Sequence, residues 1–316
     1  MFKQQLTINT NQIKDKISDL LKLNISQVTE IKATGYSSNV HKIKVYDTND
    51  NVYQFILRGI YDSSELDFYK TVLEPFNLDS PKVYGLIDED SNLYAVMEYI
   101  PHEPTDLEDE HKFRRAIDWL IKKDKILTEN LRHISSFPCI KSHIWGPARY
   151  IDIIHRGAKA KVHPLLNDKC YDIIRSQFHG LEKILQEGTR TINHNDFQMW
   201  NILFGVDEKA GNMYIIDWAA PNIGSVCVDL ALLILVAPNH IKSDLVERYR
   251  LQIDFMGFDE IFNAAQSYAK LFDLAWLVNV MLGELVDEVN EEWFKRSLSI
   301  CCQSFRRYDT NLPHPP

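Results

Sequence analysis

The chain changes its repeat close to residue 100, and few folds can hold both halves. Up to that point, short runs alternate apolar and polar residues: VTEIKAT (28–34), SNVHKIKVY (38–46), NVYQFILRG (51–59), KVYGLID (82–88) and NLYAVMEYI (92–100). Successive side chains of a strand point to opposite faces, so a period of two marks half-buried strands. Polar stretches such as DTNDN (47–51) separate them as turns. Ile13, Ile17, Leu20 and Leu21 keep the rhythm of one helical face and predict a short first helix. Asp62 and Glu65 are spaced as a capping box ahead of Leu66, Tyr69 and Leu73, which predicts a second. Beyond IPHEPTD (100–106) helical patterns take over, broken by a strand-rich stretch at 192–217 and resuming from Val226 to Tyr308. The expectation is an α+β fold with a small antiparallel β-rich lobe over residues 1–100 and a larger, mainly helical lobe over 101–316. The segment between them would act as a hinge. The length of 316 residues suits two lobes, since a domain takes ~100–200 residues.

Composition narrows the function classes. Hydrophobic residues make up 45% and charged residues 25%, the balance of an ordinary soluble globular protein. Asp and Glu outnumber Lys and Arg by 44 to 35, for a net charge of -9. Holding a nucleic-acid backbone needs a basic face, so no nucleic-acid partner is expected. A small phosphate ligand is compatible with this charge, because a metal ion can supply positive charge locally. The five cysteines are odd in number and form no CxxC, which fits a reducing cytoplasm better than a disulfide framework. The first residues, MFKQQLTINTNQIKDK, contain no apolar signal core. The longest apolar run, Leu230 to Ala237, is far short of the ~20 residues that span a bilayer. A cytoplasmic protein without a membrane partner is the expectation.

The chemistry concentrates in INHNDFQMWNILF (192–204) and YIIDW (214–218). Asp196 lies in a polar turn ahead of an apolar strand, Asn201 is five residues on, and Asp217 ends the strand that follows a hairpin. A carboxylate on a rigid turn can accept the proton of a substrate hydroxyl. An amide oxygen and a second carboxylate at strand ends are hard ligands for Mg²⁺. Phosphoryl transfer needs this layout. Each residue alone also suits a turn or a cap, since Asp and Asn favour both; their joint order singles them out. His194 reads as a brace on the loop backbone rather than a base.

These motifs resemble those of the aminoglycoside phosphotransferase and choline kinase-like family. HNDFQMWN fits its H-x-D-x-x-x-x-N loop, IIDW its metal-binding Asp motif, and GSVCVDLALLI (224–234) its G-x-x-x-x-D-L-A segment. Protein kinases would carry H-R-D and D-F-G, and this chain has His-Asn-Asp and Asp-Trp-Ala instead. The resemblance implies a protein-kinase-like fold and an ATP- and Mg²⁺-dependent transfer of the γ-phosphoryl group to a hydroxyl of a small molecule. Asp196 would then be catalytic, Asn201 and Asp217 would hold the metal, and Asp229 would brace the loop.

The resemblance also implies a nucleotide site. TGYSSN (34–39) stands where the phosphate-covering loop belongs, with Ser37 and Ser38 able to approach a phosphate; a plain hairpin turn is the alternative. Arg58 stands where the family usually carries Lys, with Glu65 as its ion-pair partner. Arg58 as a mere surface charge at a strand end is the other reading. MEYIPH (97–102) fits the hinge: Met97 behind the adenine, the Glu98 carbonyl and the Ile100 N–H on its edge. For the acceptor, Asp273, Trp276 and Glu284 share a helical face by spacing, and Trp200 can line the same cleft. An acidic and aromatic face suits a cationic, amine-bearing acceptor such as an aminoglycoside or choline-like alcohol. The same residues also suit a core Trp with solvated acids. A catalytically weak nucleotide-binding protein with a structural or regulatory role is the competing function, motivated by Arg58 in the Lys position.

Overall fold

The computed structural model describes residues 9–31, 40–60, 63–89, 92–140, 147–218, 221–283 and 291–304. Helix α1 (Thr10–Leu21) opens on Asn9, whose side chain accepts the N–H groups of Asn11 and Gln12 and so satisfies donors the first turn leaves open. Strands β1 (Ile25–Ile31), β2 (Val40–Asp47) and β3 (Val52–Ile60) follow, then α2 (Ser64–Phe68), which runs on as one wider turn to Leu73. Strands β4 (Val83–Glu89) and β5 (Asn92–Glu98) complete an antiparallel sheet of order β1-β2-β3-β5-β4. In β2 every second residue is buried, which is the half-buried pattern read from the sequence. The DTNDN turn is held by Asp47, whose carboxylate accepts the amides of Asn49 at 2.7 Å and Asn51 at 2.9 Å. Ile13 and Ile17 of α1 close one face of the sheet over Ile43, Val45, Phe55, Leu57 and Val96.

The chain continues through α3 (Glu110–Glu129), α4 (Leu131–Ile134), α5 (Pro147–Ala160) and α6 (Asp168–Gln186) to strand β6 (Arg190–Asn193). Strands β7 (Ile202–Phe204) and β8 (Met213–Ile215) form a hairpin, and β9 (Asn222–Ser225) pairs antiparallel with β6. Helices α7 (Cys227–Val236), α8 (Lys242–Arg250), α9 (Phe258–Met281) and α10 (Glu291–Ser304) end the described chain. The apolar run seen in the sequence is α7, which is buried nearly all round, as a helix apolar on every face must be. No described helix is long and apolar enough to cross a membrane.

Two compact units result. Residues 2–105 with 200–219 form a sheet unit, and residues 106–199 with 220–316 form a helical unit. The hairpin 200–219 thus belongs with the sheet although a hundred residues of helices precede it. Its stitches are specific: the Glu103 amide donates to Phe204 at 3.0 Å, the Val206 amide to Pro101 at 2.9 Å and the Ile215 amide to Asp79 at 2.9 Å. Trp218 is fully buried, its ring 5.0 Å from that of Phe68 on α2.

Candidate active site

In the sheet unit, charged side chains from three separate segments meet. Arg58 sits near the end of β3, paired with Val40 of β2 and Ala95 of β5. Its guanidinium bonds Glu65 of α2 at 3.0 Å and also Asp217. A planar fork of five donors lets one side chain serve two acids, which a point-charge ammonium does less well. Burial alone would lower the Arg58 pKa; the carboxylates of Asp217 and Glu65 outweigh it and hold the guanidinium above its ordinary range. The surface-charge reading of Arg58 is set aside, because only 17% of its side chain is exposed. Glu65 pairs with Arg58 as the resemblance implied; Asp62, the other half of the expected capping box, lies outside the described residues.

Asp217 follows β8 with a φ of 68°, so the backbone leaves the strand in the left-handed region that Asp tolerates. The carbonyl of the buried Asn201 accepts the Ile216 amide at 3.0 Å. Asn201 and Asp217 therefore lie at the same end of the β7–β8 hairpin, one and two residues beyond the Ile202–Ile215 pair. In the predicted hinge, Met97 and Ile100 are buried. The Glu98 carboxylate accepts from Lys209 at 2.6 Å and from the Lys82 amide at 3.1 Å. The Ile100 carbonyl accepts from His102 at 2.8 Å. Trp200, at the start of the hairpin, is 43% exposed.

The helical unit carries Asp196. It follows β6 on a loop whose Asn195 has a φ of 68°. The loop is tied from three sides. Asp229 of α7 accepts the amides of His194 at 2.8 Å and Asn195 at 3.0 Å. The His194 ring accepts the Asp196 amide at 3.2 Å, which fixes its Nδ1 as the unprotonated nitrogen. Gln198 donates to the Asp196 carboxylate at 3.0 Å. Phe197 anchors the loop by stacking on Trp119 of α3, with ring centroids 5.4 Å apart. Tyr150, whose ring lies 5.7 Å from that of Tyr268, is buried close enough for Asp196 to help hold its phenol protonated, after burial and Tyr268.

Asp229 in turn rests on a buried network that sequence reasoning missed. Lys123 of α3 is fully buried and donates to Asp229 at 2.7 Å and to the Ile192 carbonyl at 3.1 Å, and it pairs with Asp124 at 2.9 Å. Tyr249 of α8 donates to Asp124 at 2.6 Å. The signal was present in the sequence: Lys123 falls on the apolar stripe of α3, which includes Phe113, Ala116, Ile117, Leu120 and Leu127.

Elsewhere in this unit, Asp273 of α9 accepts from Ser297 at 2.5 Å and from the Trp293 indole at 3.2 Å. Burial raises its pKa despite those bonds. The Trp276 and Trp293 rings lie 5.5 Å apart. Helix α9, which carries Asp273 and Trp276, ends at Met281. Glu284, Ser37 and Ser38 lie outside the described residues.

Comparison with known proteins agrees with this layout. Residues 152–249, which include Asp196, Asn201, Asp217 and Asp229, match the model of the ecdysteroid kinase-like family. No curated protein matches the chain. Among solved structures, a choline kinase from Streptococcus pneumoniae is 20% identical with a TM-score of 0.61, covering 94% of this chain and 99% of its own. An ethanolamine kinase from Plasmodium vivax is 13% identical with a TM-score of 0.62, covering 94% and 88%. The GDP complex of a mutant aminoglycoside 2'-phosphotransferase-IIIa is 14% identical with a TM-score of 0.59, covering 95% and 98%. At these identities the shared property is the fold, and the resemblance read from the motifs is borne out at that level: the chain has the protein-kinase-like fold of small-molecule kinases.

Proposed function

We propose that this chain is an ATP- and Mg²⁺-dependent phosphotransferase that moves the γ-phosphoryl group to a hydroxyl of a small molecule. The observation that carries the reading is the Arg58 bridge between Glu65 and Asp217, in a chain whose Asp196 loop is pinned by Asp229. In phosphoryl transfer the protein supplies position and charge rather than covalent chemistry. Asp196 orients the acceptor hydroxyl and takes its proton. Arg58 holds the nucleotide phosphates, and Glu65 keeps Arg58 aimed. The Glu98 carbonyl and the Ile100 amide read the adenine edge, with Met97 behind the ring, and Ser37 and Ser38 cover the phosphates. The β-rich lobe is the nucleotide lobe in this reading, and the helical lobe carries the acceptor.

The donor set suits Mg²⁺: an amide and a carboxylate, both hard oxygens, at one hairpin end. Asp217 already bonds a cationic partner in Arg58. Asn201 and Asp217 would hold the ion, which when bound supplies positive charge against the phosphate oxygens. The solved relatives named above are choline, ethanolamine and aminoglycoside enzymes, all acting on amine-bearing alcohols by their names. Within the helical unit, Asp273 and Trp276 would offer such an acceptor an acid and an aromatic ring.

Turnover of Mg·ATP against a panel of amino alcohols, sugars and aminoglycosides tests the reading, with Asp196→Asn beside the wild type. The substitution is expected to lower kcat by roughly 10²–10⁴-fold, the range of a positioned base, while the nucleotide still raises the unfolding midpoint. Full activity in the variant would end the assignment of Asp196. A second reading, a nucleotide binder with little turnover, is favoured by the same Arg58 bridge, because it occupies the Asp217 carboxylate. Stabilisation by Mg·ATP with no turnover on any acceptor would support it.

A further inference from the structure

We propose that Lys123 is a positioning residue for the Asp196 loop, acting through Asp229. The description of its role rests on Asp196 being the base, but the physical link does not. Both oxygens of Asp229 are used: Oδ1 accepts the Asn195 amide, and Oδ2 accepts the His194 amide and the Lys123 ammonium. Asp229 and Lys123 are each 0% exposed. A buried carboxylate that holds two backbone amides needs a counter-charge, because water cannot supply one. Lys123 supplies it. It also pairs with Asp124 at 2.9 Å and donates to the carbonyl of Ile192, two residues before His194. The same ammonium therefore grips β6 and the acid that pins the loop leaving β6.

The two acids around Lys123 divide the work. Asp124 is held by the Tyr249 hydroxyl. It balances Lys123, whereas Asp229 is the acid that accepts the two loop amides. Removing Lys123 leaves two buried acids side by side, and a proton on either relieves the repulsion. Asp229 is in either case left without a cation beside it, so its hold on the two amides weakens and the loop loosens with no residue of the loop itself changed. Removing the Asp124 charge instead leaves Lys123 and Asp229 as a matched pair.

The test is amide hydrogen exchange on the full chain, read at His194 and Asn195 and compared with the amides of α7. Three variants are needed: Lys123→Met, Asp124→Asn, and Lys123→Met combined with Asp124→Leu. The last removes one of the two acids along with the ammonium, so that Asp229 loses its cation without facing a second buried carboxylate, and it decides the matter if the lone Lys123→Met does not fold. Tyr249 keeps a partner in it, the Val226 carbonyl at 3.2 Å. Either folded Lys123 variant is expected to speed exchange at the two loop amides by roughly 10-fold or more, the worth of bonds to a charged acceptor, with α7 little changed. Asp124→Asn is expected to leave the loop amides at the wild-type rate. Unchanged loop exchange in a folded Lys123 variant overturns the proposal. So does equal acceleration throughout α7, or the same loop acceleration in Asp124→Asn. Where an acceptor is turned over, the Lys123 variants should lose kcat by roughly 10²-fold with KM for ATP held. A chain without turnover on any acceptor would refute the kinase reading and leave the exchange result to stand by itself.

Discussion

At the scale of single residues, Arg58 separates the readings of this protein. Its side chain is 17% exposed, against 12% for Glu65 and 42% for Asp217. Two acids and one guanidinium in such surroundings are interdependent. Removing the cation leaves two carboxylates facing each other with little solvent on Glu65, whereas Lys keeps the charge but not the fork. Arg58→Met is therefore expected to cost about 3–5 kcal/mol, the range for a broken buried pair, and less to the extent that the exposed Asp217 recovers water. Arg58→Lys is expected to cost about 1–3 kcal/mol, one lost bond to a charged group. Urea unfolding of the three proteins measures both. If Arg58→Met stays within about 0.5 kcal/mol of wild type, as an ordinary surface substitution does, the bridge carries no stability. The resemblance implied Glu65 as the partner of Arg58 at the end of the third strand. It could not show that Asp217, 159 residues away, completes the trio.

Elements show where legibility ends. All five strands of the main sheet and α1 were readable, since each carries its own period or turn residues, and their edges shift by only a few residues. Local pattern also found the β7–β8 hairpin. It could not find what long-range packing decides: the Lys123 network, or Asp217 joining the Arg58–Glu65 pair. The pairing of β6 with β9 lies between these cases, because Gly224 marks it. A Cβ on Gly224 would come within 2.3 Å of the side-chain nitrogen of Asn193, and Asn193 is 1% exposed and immediately precedes His194. The glycine of the GSVCVDLA segment thus leaves room for the residue that leads into the Asp196 loop. Gly224→Ala forces Asn193 aside in a packed site, where such overpacking costs about 1–3 kcal/mol. The expected result is a lower unfolding midpoint together with lower kcat, and a smaller effect on ATP binding, whose proposed residues lie in the sheet unit. Calorimetry and steady-state kinetics on the variant check this; a variant with wild-type stability would show that Asn193 yields freely.

For the whole molecule, the chain passes between its two units three times, so neither unit is one continuous stretch. That geometry sets what a fragment can do. A cut after residue 105 keeps the sheet but discards 200–219, and with it five strongly buried side chains: Ile202, Phe204, Met213, Ile215 and Trp218. Trp218 leaves Phe68 without its ring partner, and Arg58 keeps Glu65 but loses Asp217. Each such side chain contributes about 1.5–3 kcal/mol when fully buried, while a whole domain nets only about 5–15 kcal/mol. Losing five of them removes as much as the domain has. The fragment 1–105 is therefore expected to show no cooperative unfolding transition and no stabilisation by Mg·ATP. The same residues followed by a flexible linker and 200–218 are expected to recover a cooperative transition, because every stitch between hairpin and sheet is then present. Circular dichroism during urea titration distinguishes the two. A fragment 1–105 that unfolds cooperatively would place the unit boundary where the periodicity changes, near residue 100, and would reduce the hairpin to an accessory of the sheet unit rather than part of its core.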